Sequence, residues 1–134
     1  MQSLQRVQGI QARQSLRMDP WWTQSPMSFD GVLEVSLDLI RCLRDVVATL
    51  ARYDADLAAQ IRRAASSVPA NLGEGQRRAG RDCRYHYRVA AGSAEEVRAA
   101  LRTAAAWGYV DADTVARPLA LLDRLGAMLY RMTR

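Results

Sequence analysis

Apolar residues recur every three or four positions along the chain from residue 30 onwards, with charged residues between them. This period is typical of amphipathic α-helices and predicts four of them. Asp30 and Asp54 precede the first two helices as N-caps, and Gly80 and Gly108 follow the second and third, where glycine commonly ends a helix. The predicted helices cover about 31–51, 55–78, 81–107 and 111–132.

The connections between the predicted helices are short, so successive helices pack most simply side by side in opposite directions. We therefore expect an all-α protein in which residues 29–134 form one antiparallel up-down-up-down four-helix bundle. Pro69 lies within the second helix, where it removes a backbone donor and clashes with the carbonyl four residues earlier. Because the apolar period continues to Leu72, we expect this helix to continue past Pro69 with a kink.

The first 28 residues depart from this pattern. Asp19, Pro20 and Pro26 interrupt any continuous helix there. Two interpretations stay open for this N-terminal tail. It is partly disordered, or it docks on a neighbouring subunit through the aromatic pair Trp21 and Trp22.

The third predicted helix is apolar or small over most of its circumference, which is typical of a helix buried on more than one side. Its core-facing stripe leaves a second face of residues small enough for another helix to lie close. In a domain of this size, such a face predicts a subunit interface. The small face comprises Val89, Gly92, Ser93, Ala99, Ala100 and Thr103.

The net charge is +5, and all nineteen basic residues are arginines. A GC-rich genome would explain the absence of lysine as well as selection does. Arginine nevertheless binds phosphate through two parallel hydrogen bonds and stacks on bases, which lysine cannot do. The charge therefore favours a nucleic-acid partner without identifying one.

The same composition argues against several other kinds of protein. Cys42, Cys83 and the single histidine, His86, cannot supply the four ligands of a structural zinc site within one subunit, although Cys83 and His86 share a helix face. No nucleophile and base stand in a recognisable catalytic pattern. No apolar run of ~18 residues could span a bilayer, and the N-terminus lacks the apolar centre of a secretory signal. We expect a cytoplasmic protein without enzymatic activity, cofactor or metal.

Two sets of residues between the second and third helices are candidate sites. Asn71, Glu74 and Glu96 are expected to form a polar cluster where these helices meet, with serine or arginine partners such as Ser67, Ser93, Arg63 or Arg78. A carboxylate pair for acid-base or metal chemistry is the alternative. The second set is either a solvated helix face or a phosphate-binding surface. It consists of Arg77, Arg78, Arg81, Arg84 and Arg88.

One long motif in this region resembles a known family. The segment 60–75 reads QIRRAASSVPANLGEG, and Arg78 and the spacing Gly92-Ser93-x-x-Glu96 follow it. The motif resembles that of the four-helix bundle proteins encoded within intervening sequences of bacterial 23S ribosomal RNA. The resemblance covers about residues 29–131. The chain departs from the family pattern at Gly73, where alanine is common, and at Gly80 and Arg81, which replace a serine-containing helix start.

The resemblance implies a homopentameric ring of bundles, and it extends to the accessory proteins of diversity-generating retroelements, which work with nucleic acid and a reverse transcriptase. It implies no settled molecular activity. From the residues and the resemblance together, we expect a non-enzymatic homo-oligomer that binds RNA or DNA through its arginines. The alternative is an interaction scaffold or accessory subunit for a partner protein, such as a reverse transcriptase, with no direct nucleic-acid contact.

Overall fold

The computed structural model describes residues 29–134, which form four α-helices and, within that range, no strand. The prediction of an all-α fold is confirmed. The predicted tail of residues 1–28, with Trp21 and Trp22, lies outside the described residues. The helices are α1 (Phe29–Leu50), α2 (Ala55–Gln76), α3 (Gly80–Ala106) and α4 (Ala112–Met132).

The helix ends follow local capping chemistry. Asp54 accepts a hydrogen bond from the backbone N–H of Leu57 at the start of α2, and Asp111 accepts one from Thr114 at the start of α4. Asp30 lies inside the first turn of α1 and is not its N-cap. Gly80 is the first residue of α3 and does not end α2, whose last residue is Gln76. Its φ of 60° suits the sharp connection between the two helices.

The contacts between helices close a ring. Each helix packs against the next, and α4 packs against α1. The pairs of hydrogen-bonded side chains show that α2 and α3 run in opposite directions, because residue numbers rise along α2 as they fall along α3. These pairs are Gln60 with Glu96, Ser67 with Ser93, and Asn71 with His86.

Other contacts fit the predicted up-down-up-down order. The rings of Tyr53 and Tyr109 stack, so the α1–α2 and α3–α4 connections meet at one end of the bundle. Arg98 of α3 also bridges to Asp123 of α4 at 2.6 Å. The helix α2 continues past Pro69 without a break, as the apolar period predicted. The complete up-down-up-down order and the kink near Pro69 stay predictions.

The core lies between the four helices and is made of leucine, valine and alanine. Leu39, Ile61, Leu101 and Leu125 are among its fully buried side chains. The small residues of α2 and α3 pack these two helices closely against each other, and the candidate sites lie along their seam. We refer to this contact as the α2–α3 seam.

Candidate nucleic-acid interface

A buried glycine lies on the α2–α3 seam. Gly75 is buried, and a β-carbon placed on it would lie 2.6 Å from Cε1 and 2.8 Å from Cδ1 of the Tyr87 ring. The tyrosine ring therefore occupies the space that any other residue at position 75 would need. This contact explains the buried glycine without any role in ligand binding.

A chain of hydrogen bonds crosses the seam one turn before Gly75. The Asn71 side-chain amide donates to the carbonyl oxygen of Ser67 at 2.9 Å and to the Ser67 hydroxyl at 3.0 Å, and Ser93 donates to the same hydroxyl at 2.8 Å. These bonds place Asn71 Oδ1 towards His86 Nδ1, 3.2 Å away. Because Oδ1 can only accept, His86 carries a proton on Nδ1.

This chain is the satisfied polar network that the sequence predicted, but two of the three predicted members are elsewhere. Glu96 accepts a bond from Gln60 at 3.5 Å, and Glu74 contacts Arg78 at 3.5 Å. Gln60 precedes Asn71 by eleven residues, or about 16 Å of helix. Asn71, Glu74 and Glu96 thus do not converge, and the two exposed glutamates do not form a carboxylate pair.

Ser67 and Ser93, which the sequence named only as possible partners, are central to the network. His86 is also a member, whereas the sequence indicated only a solvated or core-edge histidine that shares a helix face with Cys83. A single sequence gives little warning of this role, because a histidine at a helix interface looks the same as one in solvent.

The structure places Cys83 and His86 in other surroundings. Burial, and to a smaller extent the neighbouring Cys83 thiol, raises the pKa of Tyr87 to about 12. His86 Nδ1 is used by Asn71. Within residues 29–134, no three histidine, cysteine or acidic side chains are grouped so that they could hold a metal ion.

The five predicted arginines lie at the α2–α3 connection and on the first three turns of α3. Arg77, Arg78, Arg81 and Arg88 are exposed, and Arg84 is half-buried. Arg81, Arg84 and Arg88 fall within about 60° of one another around the helix, at 100° per residue. We call these five residues the arginine cluster.

Most of this positive charge is unpaired. Within the cluster, only Arg78 contacts a carboxylate of residues 29–134: it lies 3.5 Å from Glu74 and 3.9 Å from Asp82. Glu74 and Asp82 offset two of the five positive charges, so the cluster keeps a net charge of +3 with these two neighbours counted. The arginine cluster is therefore available to bind several phosphates at once.

The two aromatic residues beside the cluster differ in accessibility. Tyr85 is 61% exposed and lies on the same helix face as Arg81, so its ring is open to a base. Tyr87 is only 8% exposed and packs on Gly75, so it cannot stack on a ligand. The surface thus offers several phosphate contacts but only one stacking ring.

The fold and this surface define a small helical-bundle protein, and comparison with known proteins identifies the family. The family model described as 23S rRNA-intervening sequence protein matches residues 32–131. The chain therefore belongs to that family, as its motif predicted. A search of curated proteins finds no match.

A solved structure supports the fold independently. It is the crystal structure of a protein with unknown function from the S23 ribosomal protein family of Bacteroides thetaiotaomicron. The two chains are 19% identical and superpose with a TM-score of 0.70, over 77% of this chain and 98% of the other. At this identity, the similarity shows the fold alone. None of the four helices in residues 29–134 combines the length and apolar character needed to cross a membrane.

Proposed function

We propose that this protein is a non-enzymatic helical bundle that assembles with copies of itself, as a pentamer, and binds the backbone of RNA or DNA through the arginine cluster. One observation carries the proposal. Four of the five arginines have no carboxylate partner within residues 29–134, and three of them share one face of α3.

Assembly would strengthen the binding. A ring repeats the cluster once per subunit, and the number of phosphates contacted together sets the affinity and its dependence on salt. Phosphate contacts position a protein without reading bases, so we expect little sequence preference. The ribosomal name of the family of the similar structure makes RNA the first polyanion to test.

The test is a salt titration with fluorescently labelled, mixed-sequence RNA and DNA. The logarithm of the binding constant should fall linearly with the logarithm of salt concentration, by about 0.9 per duplex-DNA phosphate contacted and about 0.7 per single-strand phosphate. Replacing Arg81, Arg84 and Arg88 together by glutamate should abolish binding.

The matched control changes the charge by the same amount elsewhere. Arg44, Arg52 and Arg62 are exposed and lie outside the cluster. Their joint replacement by glutamate should weaken binding only through net charge, while most of the affinity remains. Equal loss in the two triple variants, or no binding of the unmodified protein at low salt, would refute the proposal.

A groove between α1 and α2 favours the second candidate function, that of a scaffold or accessory subunit for a partner protein. Its volume is about 310 Å³, and its lining is mainly apolar with two arginines. Such a groove suits an amphipathic helix that carries acidic residues. The lining includes Leu43, Arg44, Val47, Ile61 and Arg62. Capture of an acidic protein would support this function if the capture survives nuclease treatment and is lost in the variant with Arg44→Glu and Arg62→Glu.

A further inference from the structure

Three aromatic side chains stack at the end of the bundle where the α1–α2 and α3–α4 connections meet. The Tyr53 and Tyr109 rings lie 5.7 Å apart between centroids and 12° from parallel. The Trp107 and Tyr109 rings lie 6.2 Å apart and 17° from parallel. Tyr109 is common to both pairs, and we call the three residues the aromatic stack.

Two members of this stack are open to solvent. Tyr53 is 64% and Trp107 is 69% exposed, and they are two of the four large apolar side chains exposed within residues 29–134. Only the Tyr53–Tyr109 pair joins the two connections, whereas Trp107 and Tyr109 belong to the same connection. Tryptophan and tyrosine exposed together are typical of a binding surface, because each supplies a large rigid contact area.

The charge around the stack selects the kind of ligand. Residues 51–56 and 107–113, which form the connections and the first turns of α2 and α4, contain four aspartates and one arginine. No ion pair joins any of these aspartates to an arginine of residues 29–134. This excess of negative charge repels phosphate and attracts cations. The aspartates are Asp54, Asp56, Asp111 and Asp113.

Aromatic faces attract cations, but the faces of the aromatic stack hold no cation of residues 29–134. Arg134 lies over the ring of Tyr130, 5.3 Å from its centroid, so this protein does form such contacts. No arginine of residues 29–134 lies over a ring of the aromatic stack. The exposed faces of Tyr53 and Trp107 are therefore available to a cation from outside these residues.

We propose that the aromatic stack, with its four aspartates, binds an arginine-rich peptide segment of a partner protein. A guanidinium group lies flat on an exposed ring and donates hydrogen bonds to a neighbouring carboxylate, a combination that the compact ammonium of lysine cannot match. Asp56 and Asp113 supply this charge most freely, because Asp54 and Asp111 cap helices.

This site is separate from the arginine cluster. Arg88 and Trp107 are nineteen residues apart on one helix, or about 28 Å. The two ends of the bundle can therefore bind ligands of opposite charge at the same time. The peptide proposal does not depend on the binding of nucleic acid.

The experiment measures fluorescence anisotropy of labelled octa-arginine and octa-lysine peptides titrated with the full-length protein. We expect octa-arginine to bind more tightly than octa-lysine. Replacing Tyr53 and Trp107 together by alanine should weaken octa-arginine binding by about tenfold, since two exposed cation–π contacts are lost. Asp56→Asn with Asp113→Asn should weaken it without removing either ring.

Replacement of Tyr85 and Tyr130 by alanine is the matched control, since both are exposed aromatics outside the stack. It should leave octa-arginine binding unchanged. The aspartate variant keeps both rings, so it shows that a loss of binding in the ring variant is not caused only by misfolding. Equal binding of the two peptides, or unchanged affinity in both stack variants, would overturn the proposal. The proposal would also be overturned if removing the rings abolished the binding of a labelled oligonucleotide and not that of the peptide, because the stack would then be a platform for bases.

Discussion

At the scale of single residues, the sharpest constraint is the contact between Gly75 and Tyr87. A methyl group at position 75 would overlap the tyrosine ring, and His86 Cβ, 3.2 Å away, closes the other side. We expect Gly75→Ala to lower the free energy of unfolding by about 1–3 kcal/mol through overpacking. Denaturant unfolding followed by circular dichroism measures the change.

Gly73 provides the matched control for this substitution. It lies in the same helix, and a β-carbon there would meet nothing within 4 Å. Gly73→Ala should stabilise the protein by about 0.5–1 kcal/mol, because alanine is the better helix former. Similar effects at the two positions would mean that the Tyr87 ring moves aside at little cost.

The hydroxyl of Tyr87 gives a prediction at alkaline pH. Burial, and to a smaller extent the neighbouring Cys83 thiol, raises its pKa from 10.0 to about 12. Because the folded pKa exceeds the unfolded one, Tyr87 contributes stability below pH 10 and loses it as the pH rises towards 12. Phenolate absorbance should therefore show one late-titrating tyrosine, which Tyr87→Phe removes. Titration of every tyrosine near pH 10 would contradict the burial of the Tyr87 hydroxyl.

At the scale of helices, the sequence predicts the elements well because three of the four have one clear apolar stripe. It predicts the faces of α3 less well. Ala100 was expected on an outer face but is buried, and Ser93, which fitted either that face or the polar cluster, bonds to Ser67. A helix with small residues nearly all round provides little contrast between its faces, so only packing against α2 decides which of them turn inward.

The same limit explains the outcome at the candidate site. The motif 60–75 predicts small and polar residues where α2 meets α3, and the Asn71 network lies on this seam. It does not predict which polar residues meet, because those pairs depend on the relative shift of two helices. Glu74 and Glu96 look equivalent to Asn71 in sequence, yet both are exposed.

The network at Asn71 predicts how the seam responds to mutation. Asn71→Ala leaves Ser67 and His86 without their shared partner, so we expect a loss of about 1–2 kcal/mol in unfolding free energy. Glu74→Gln and Glu96→Gln each alter only an exposed contact and should change it by less than about 0.5 kcal/mol. Thermal unfolding of the three variants tests this ranking. A glutamate variant as unstable as Asn71→Ala would show that the carboxylates support the seam after all.

At the scale of the whole molecule, the two ends of the bundle differ in charge and chemistry. The α2–α3 connection carries the arginine cluster, and the opposite connections carry the aromatic stack and four aspartates. Between them, the outer face of α3 is lined by small residues. Gly92, Ala99 and Thr103 are exposed there, whereas exposed helix positions usually carry longer polar side chains.

The last prediction concerns this small face and rests on the proposed assembly. If α3 packs against another subunit, multi-angle light scattering should give about 75 kDa, five times the 15.0 kDa of one chain. Ala99→Trp inserts a bulky ring into the close contact and should lower the mass towards that of a monomer. Ala116→Trp, at an exposed alanine of α4, should leave it unchanged. A monomeric unmodified protein would refute the assembly. An unchanged mass in Ala99→Trp would show that the contact between subunits lies on another helix. The arginine clusters would then be arranged differently around the axis of the proposed ring.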